Sequence, residues 1–124
     1  MVEIKKVTDP ALIRQIAEEH CIELEPADFV IATVEQGEIL QCAVFSYTDE
    51  IGKIKVICGF DGDINLLDGL CRAILNIMDI NGVKVVYLSE KYPKLAKFVG
   101  FNTSDHGFEL ALEGFFKCGC CHHN

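Results

Sequence analysis

The apolar residues of this chain change their spacing near residue 60, and this change limits the possible folds more than any other feature. Between residues 29 and 60, three stretches rich in β-branched side chains are separated by turn signals, of which Gln36-Gly37 is the clearest. Such an arrangement is typical of a three-stranded antiparallel meander. Over residues 66–78, apolar side chains instead recur at helical spacing, which predicts a long amphipathic helix.

The remaining segments extend this order on both sides. A first helix is predicted to begin at Asp9-Pro10, where Asp caps the helix and Pro occupies its first turn. The other predicted segments are a strand at residues 2–7, a loop at 23–28, a helix stop at Asn81-Gly82, a strand at 83–88, a short helix at 91–100, a polar turn at 102–107 and a last strand at 108–116.

The predicted order is β-α-β-β-β-α-β-α-β, an α/β (α+β) fold with a mixed sheet and helices on its faces. We expect one domain, residues 1–116, followed by a Cys/His-rich tail, residues 117–124. A net charge of −8 argues against a nucleic-acid partner. No apolar run approaches the roughly 20 residues of a membrane helix, so no membrane partner is expected. The N-terminus has no signal-peptide pattern, which favours a cytoplasmic protein.

Two segments resemble motifs of the GNAT (N-acetyltransferase) superfamily. Residues 69–75, Gly-Leu-Cys-Arg-Ala-Ile-Leu, are similar to the start of that family's acetyl-CoA-binding helix. Residues 94–101, Lys-Leu-Ala-Lys-Phe-Val-Gly-Phe, are similar to its late helix, which usually ends in Gly-Phe. The resemblance covers residues 2–116 and implies a GNAT-like acyl-CoA N-acyltransferase fold. It also implies acetyl-CoA as cofactor and a small-molecule or peptide amine as acceptor.

The resemblance further implies where acetyl-CoA would bind. In the family, the strand before the binding helix splays open and bonds the pantetheine arm, and a loop holds the pyrophosphate at the helix N-terminus. The matching loop here falls on residues 66–71. The positions implied to contact the cofactor are the strand end and the backbone around the motif: Cys58, Gly59, Phe60, Gly69, Leu70, Cys71 and Arg72.

The sequence departs from the family pattern at this loop. Leu66 stands where Gln or Arg is usual, and Cys71 stands where a small residue is usual. No lysine or arginine lies between residues 60 and 72, whereas three carboxylates lie in or near the loop: Asp61, Asp63 and Asp68. Carboxylates would compete with a pyrophosphate for the positive end of the helix.

The residues of catalysis are less clear from the sequence. Ala96 stands where the family's tyrosine acid is usual, and Tyr92 lies one turn earlier, so no catalytic residue is assigned. An active enzyme would let the amine attack the thioester directly, with Glu50 or Glu90 as a candidate base. Cys71 has two interpretations, a reactive thiol at a helix N-terminus or, more simply, a small buried hydrophobe.

The C-terminal tail is the most unusual local feature. Within six residues it carries three thiols and two imidazoles, which are ligands that Zn²⁺ and other soft divalent metals prefer: Cys118, Cys120, Cys121, His122 and His123. The tail could hold an ion alone or share one across a homodimer, and adjacent thiols could instead form a redox pair. A tail without a specific role is the competing interpretation. His20 and His106 have no sequence partner and receive no role.

Two functions from different classes follow. The first is an N-acetyltransferase of unknown substrate with an altered acetyl-CoA loop. The second is a non-catalytic metal-binding or thiol-redox sensor or adaptor that uses the Cys/His tail. A purely structural interaction module is a third possibility.

Overall fold

The structure is a computed structural model that describes residues 2–59, 64–105 and 107–115. Within these residues the chain forms seven strands and three helices. In chain order they are β1 (Val2–Lys6), α1 (Pro10–Glu19), β2 (Phe29–Glu35), β3 (Glu38–Thr48), β4 (Ile51–Gly59), α2 (Ile64–Ile80), β5 (Val85–Leu88), α3 (Pro93–Val99), β6 (Asn102–Ser104) and β7 (Gly107–Ala111).

The strands form one mixed sheet with the order β1-β2-β3-β4-β5-β7-β6. β4 and β5 are parallel, with the crossover helix α2 between them, and every other neighbouring pair is antiparallel. The predicted α/β class with a mixed sheet is therefore confirmed. The predicted meander is also confirmed, since β2, β3 and β4 are consecutive neighbours in the sheet.

The first hairpin turn of the meander lies where the sequence places it. Gln36 and Gly37 both have positive φ angles, 51° and 82°. A two-residue turn of this hand matches the twist of the strands that it joins. The turn brings Glu35 opposite Glu38 and so fixes the register between β2 and β3.

Helix α1 covers one face of the sheet. Its start is confirmed, because the Asp9 carboxylate accepts a hydrogen bond of 3.0 Å from the Ala11 N–H and Pro10 is the first helical residue. The small core beneath α1 consists of five buried residues: Ile16, Val30, Cys42, Val44 and Val56.

Helices α2 and α3 cover the opposite face, where the larger core lies. The apolar stripe of α2 buries Leu70, Ile74, Leu75 and Met78 completely or nearly so. Gly52 of β4 lies under this helix, and a Cβ at that position would come within 2.6 Å of the Met78 sulfur. The absence of a side chain at Gly52 therefore lets α2 pack closely on the sheet.

The C-terminal part differs from the prediction. Residues 102–107 were expected to be a polar turn, but Asn102–Ser104 forms the edge strand β6, which pairs with β7. Backbone pairing with a neighbour decides a strand at a sheet edge even where the side chains are polar. The last strand, expected to reach residue 116, ends at Ala111 and is followed by a turn in which Gly114 has a φ of 77°.

In the described part of the chain, none of the helices has the length and apolar character needed to cross a membrane.

Candidate active site

Strands β4 and β5 pair over only part of their length. The parallel ladder runs from Ile51 opposite Val85 to Ile54 opposite Leu88, where β5 ends. β4 continues to Gly59, and among the described residues no strand pairs with that side of it beyond Ile54. The two strands therefore open into a gap, and beyond Ile54 this side of the β4 backbone is not hydrogen-bonded to another strand among the described residues.

A β-bulge marks the start of this gap. In the pairing of β3 with β4, Val44 lies opposite Val56 while Phe45 lies opposite Ile54, so Lys55 is an extra residue in β4. Bulges bend a strand and increase its twist, and they are common beside active sites. The bend at Lys55 directs the end of β4 away from β5.

The side chain of Tyr92 reaches this gap. Tyr92 is the N-cap residue of α3, is half-buried, and makes a hydrogen bond with the backbone of Ile57 in the splayed part of β4. Burial raises the pKa of Tyr92 above the usual value of a phenol. The phenol is therefore protonated at neutral pH and is placed where a proton donor could act. The sequence alone did not predict this role for Tyr92, because it lies one turn before the position at which the family usually has its tyrosine acid.

A cavity of about 830 Å³ lies between the first turns of α2 and the start of α3. Its walls include the apolar residues Ile64, Leu67 and Phe98. Three lysines also line it: Lys91, Lys94 and Lys97. The segment before α2 has no lysine or arginine, so the positive charge at this cavity comes from lysines in and just before α3. These lysines are concentrated here although the net charge of the chain is −8. Apolar walls with several cations suit a ligand that carries phosphates.

Gln41 contributes a further polar group near this end of the sheet. Its side chain is 1% exposed, and its Oε1 accepts a hydrogen bond of 2.8 Å from the Thr33 hydroxyl. Its Nε2 has no partner in the described part of the chain, and a Cβ on Gly59 would lie 3.5 Å from it, with Leu67 also close. A buried donor without an acceptor is costly, so an acceptor oxygen from a ligand would stabilise it. The gap and the three lysines together suit an acyl-CoA.

The residues implied to bind the cofactor fall into two groups. Cys58 and Gly59 lie at the end of β4 beyond the bulge, where the resemblance places the splayed strand. Phe60 lies outside the described residues. Contact of these residues with a cofactor remains a prediction.

The second group lies within a helix. The resemblance aligned residues 66–71 with the family's phosphate loop, whereas their apolar spacing predicts a helix. Helix α2 begins at Ile64 and includes them, so the prediction from the spacing is confirmed. Leu70 and Cys71 face the core, at 1% and 0% exposure. Gly69 is exposed on the second turn, and Arg72 makes an ion pair of 3.0 Å with Asp68. The backbone N–H groups of 69–72 are thus inside the helix, and the free N–H groups belong to its first turn.

The reactive interpretation of Cys71 is wrong. Burial raises the pKa of the Cys71 thiol to about 12, and Asp68 contributes to the rise. The thiol is therefore protonated at neutral pH and packs as a small apolar side chain.

Three residues that received no joint role lie together on the face covered by α1. Cys42 and Cys58 are directly opposite each other on β3 and β4, with their sulfurs 3.6 Å apart. His20, the C-cap of α1, places its Nε2 3.4 Å from the Cys58 sulfur. Cys42 is buried, whereas Cys58 and His20 are half-buried. We call these three residues the thiol–imidazole cluster.

The pKa values of the two thiols in the cluster are shifted in opposite directions. A hydrogen bond with Cys42 lowers the pKa of Cys58 to about 6; burial opposes this shift, and His20 supports it. The same hydrogen bond, together with burial, raises the pKa of Cys42 well above its ordinary value. These opposite shifts favour a thiolate at Cys58 and a thiol at Cys42. His20, which received no role from the sequence alone, thus has a structural partner in Cys58.

A groove of about 680 Å³ runs over the paired part of β4 and β5. Lys53, Lys55 and Lys91 line it, together with Glu23 and Tyr87. It lies beside the gap and is open to solvent, so a second substrate could approach the gap along it.

The two candidate bases differ in position. Glu50 precedes β4, at the paired end of the β4–β5 ladder, and its carboxylate lies 3.0 Å from Lys84 Nζ. Glu50 thus lies at the end of the ladder opposite the gap, which does not favour it as the base. Glu90 follows β5 by two residues and is exposed near the gap. The tail residues Cys118, Cys120, Cys121, His122 and His123 lie outside the described residues, as does His106.

Solved structures share this fold. A GNAT family acetyltransferase from Elizabethkingia anophelis with acetyl-CoA bound matches with a TM-score of 0.64 and 17% identity, over 84% of this chain and 78% of that one. An N-acetyltransferase from Staphylococcus aureus Mu50 matches with a TM-score of 0.67 and 14% identity, over 91% of this chain and 99% of that one. The ribosomal-protein-S18-alanine N-acetyltransferase from Escherichia coli matches with a TM-score of 0.65 and 13% identity, over 88% of this chain and 89% of that one. No protein-family model matches the sequence, and no curated protein matches it significantly.

Proposed function

We propose, from the GNAT acetyltransferase fold that this chain has, that the protein is an N-acetyltransferase that uses acetyl-CoA and acts on a small-molecule or peptide amine. The observation that carries the proposal is the gap between β4 and β5, with the phenol of Tyr92 inside it. A fold alone does not imply a function, so the proposal rests on this site.

Acetyl-CoA supplies an acetyl thioester, which an amine can attack. The residues of the chain would hold it in parts. The β4 backbone beyond Ile54 offers hydrogen bonds along the gap, and the lysines at positions 91, 94 and 97 favour phosphates. The first turn of α2 adds the positive end of a helix to the same region. These features support binding without the loop motif at residues 66–71.

Tyr92 is the proposed general acid. Its Oη holds a proton at neutral pH, because burial raises its pKa, and it lies at the splayed strand. The proton would pass from Oη to the sulfur that leaves when the thioester is cleaved. An acid held in place in this way contributes about 10²–10⁴-fold to the rate.

The test combines binding and turnover. Acetyl-CoA at about 100 times its Kd should stabilise the native protein by about 2.7 kcal/mol, seen as a rise in Tm. A panel of polyamines, amino acids and short peptides is then incubated with acetyl-CoA, and acetylated products are measured by mass spectrometry. Tyr92→Phe should keep the rise in Tm and lose about 10²–10⁴-fold in turnover.

The matched control is Tyr47→Phe, another half-buried tyrosine, which packs against Phe29 away from the gap. It should leave turnover unchanged. No rise in Tm and no acetylated amine would refute the proposed function. Full turnover in Tyr92→Phe would refute the role of Tyr92 and leave the function standing.

A further inference from the structure

We propose that the thiol–imidazole cluster of His20, Cys42 and Cys58 is a zinc site with two thiolate ligands, one imidazole ligand and one open position. The inference does not depend on acetyl transfer. It starts from the fact that these three groups come from three different elements, the end of α1, the middle of β3 and the end of β4, and converge on one point.

The spacing of the ligand atoms matches a tetrahedral ion. With Zn–S of about 2.3 Å and Zn–N of about 2.0–2.1 Å, a tetrahedron has edges of about 3.8 Å between sulfurs and about 3.6 Å between sulfur and nitrogen. The observed distances are 3.6 Å between the two sulfurs and 3.4 Å from the Cys58 sulfur to His20 Nε2. All three atoms lie within 4.8 Å of one another. The donors are thus already close to three corners of one coordination sphere.

The donor types also favour zinc. Thiolate and imidazole are the ligands that Zn²⁺ prefers, and a set of three protein ligands leaves a fourth position for water or an external ligand. A cross-strand dithiol alone offers two ligand atoms, one fewer than the three protein ligands of a zinc site with an open position. Here the C-terminal residue of a helix adds an imidazole, and the preceding residue, Glu19, adds negative charge near Cys42. Each of these features favours a cation.

The surroundings of the cluster suit a site that binds an ion and links helix α1 to the sheet. Cys42 is 2% exposed and lies in the apolar core beneath α1, whereas Cys58 and His20 face solvent in part. An ion could therefore enter from the solvent side and would be held on the buried side. It would tie the end of α1 to β3 and β4, on the face with the smaller core.

The experiment separates this site from the tail. The full chain carries Cys118→Ser, Cys120→Ser, Cys121→Ser, His122→Asn and His123→Asn, so that the tail offers neither thiols nor imidazoles. Reduced, metal-free protein is titrated with zinc against a chromogenic chelator, and with Co²⁺ as a spectroscopic probe. We expect one equivalent of zinc per chain, a rise in Tm on binding, and a thiolate-to-cobalt charge-transfer band.

Two further variants test the ligands, each made in that background. Cys58→Ser and His20→Asn should each weaken zinc binding by at least about 100-fold, and both change half-buried residues, so that the fold should survive. Circular dichroism checks the fold of each. The matched control is Cys21→Ser, since this exposed thiol is adjacent to His20 but outside the cluster. It should bind zinc like the parent.

Three outcomes would overturn the proposal. The first is that the parent variant binds no zinc. The second is that Cys58→Ser and His20→Asn bind it as tightly as the parent does. The third is a protein that binds no zinc and in which peptide mapping finds Cys42 and Cys58 joined as a disulfide, which would assign the pair to redox chemistry.

Discussion

The two faces of the sheet are built by different means. Among the described residues, the core cluster under α2 and α3 contains 19 buried residues, whereas the cluster under α1 contains five. The first face is held by apolar packing along a long helix. The second adds polar ties, the thiol–imidazole cluster and the ion pairs of Lys55. The larger core thus stabilises the fold mainly by apolar packing, whereas polar contacts supplement the smaller core.

The largest loss of stability should come from truncating a side chain in the larger core. Leu75→Ala removes a fully buried side chain from the middle of α2 and should lower the free energy of unfolding by about 2–5 kcal/mol. Leu12→Ala, the matched change on α1, removes a half-buried side chain and should cost about 1–2 kcal/mol. Urea denaturation measures both. Equal costs would contradict the difference drawn between the two faces.

The next effect concerns a polar tie of the thinner face. Lys55 Nζ lies 2.9 Å from Asp28 and 3.0 Å from Glu25, and the Asp28 side chain is 2% exposed. Lys55→Met would leave the Asp28 carboxylate buried without its cation, which should cost about 2 kcal/mol near neutral pH. The control is Lys84→Met, whose partner Glu50 is exposed, and it should leave the urea midpoint unchanged.

The same tie predicts a pH dependence. Burial lowers the pKa of Lys55, but its hydrogen bonds to Asp28 and Glu25 raise it more, so that it lies above the ordinary 10.5. A folded-state pKa above the unfolded value means that the stabilisation is complete below pH 10.5 and is lost as the pH rises through the folded value. On the alkaline side, the wild type should therefore keep its advantage over Lys55→Met until strong alkali. An advantage that falls between pH 7 and 9, in unfolding measured across that range, would contradict this assignment.

The smallest effect distinguishes the two placements of the cofactor loop. Gly69 is a solvent-exposed residue in the second turn of α2, and a Cβ at this position would have no atom within 4 Å. Gly69→Ala should therefore stabilise the helix by about 0.5–1 kcal/mol, since glycine is a poor helix former. It should also leave the acetyl-CoA-induced rise in Tm unchanged. Loss of that rise would instead return the phosphate loop to residues 66–71.

Local signals explain which parts of the fold the sequence could predict. Asp9-Pro10, Gln36-Gly37 and Asn81-Gly82 act within a few residues, and each lies where the structure has a helix start, a hairpin turn or a helix end. For residues 66–71 two signals disagree: the helical spacing of Leu67, Leu70 and Ile74 predicts a helix, and a short family motif predicts a loop. The structure has a helix there, because this spacing lets one face of α2 be buried against the sheet.

The candidate site needed information that no local signal carries. Whether Cys42 lies opposite Cys58 depends on the register of β3 and β4, and a slip of one residue turns every side chain to the other face. The bulge that sets this register has no sequence signal. The reach of Tyr92 to Ile57 likewise depends on how α3 packs after the crossover. These contacts are tertiary, so the sequence order alone could not supply them.

The bulge at Lys55 lets β4 contain one residue more than the stretch of β3 that it pairs with. On one side of the bulge, Ile54 lies opposite Phe45 in the core under α2; on the other side, Val56 lies opposite Val44 in the core under α1. The extra residue is therefore accommodated locally, and no later side chain of β4 is turned to the other face. Deletion of Lys55 would leave Cys58 opposite Cys42. This point of the strand thus tolerates the gain or loss of one residue while the thiol–imidazole cluster stays assembled.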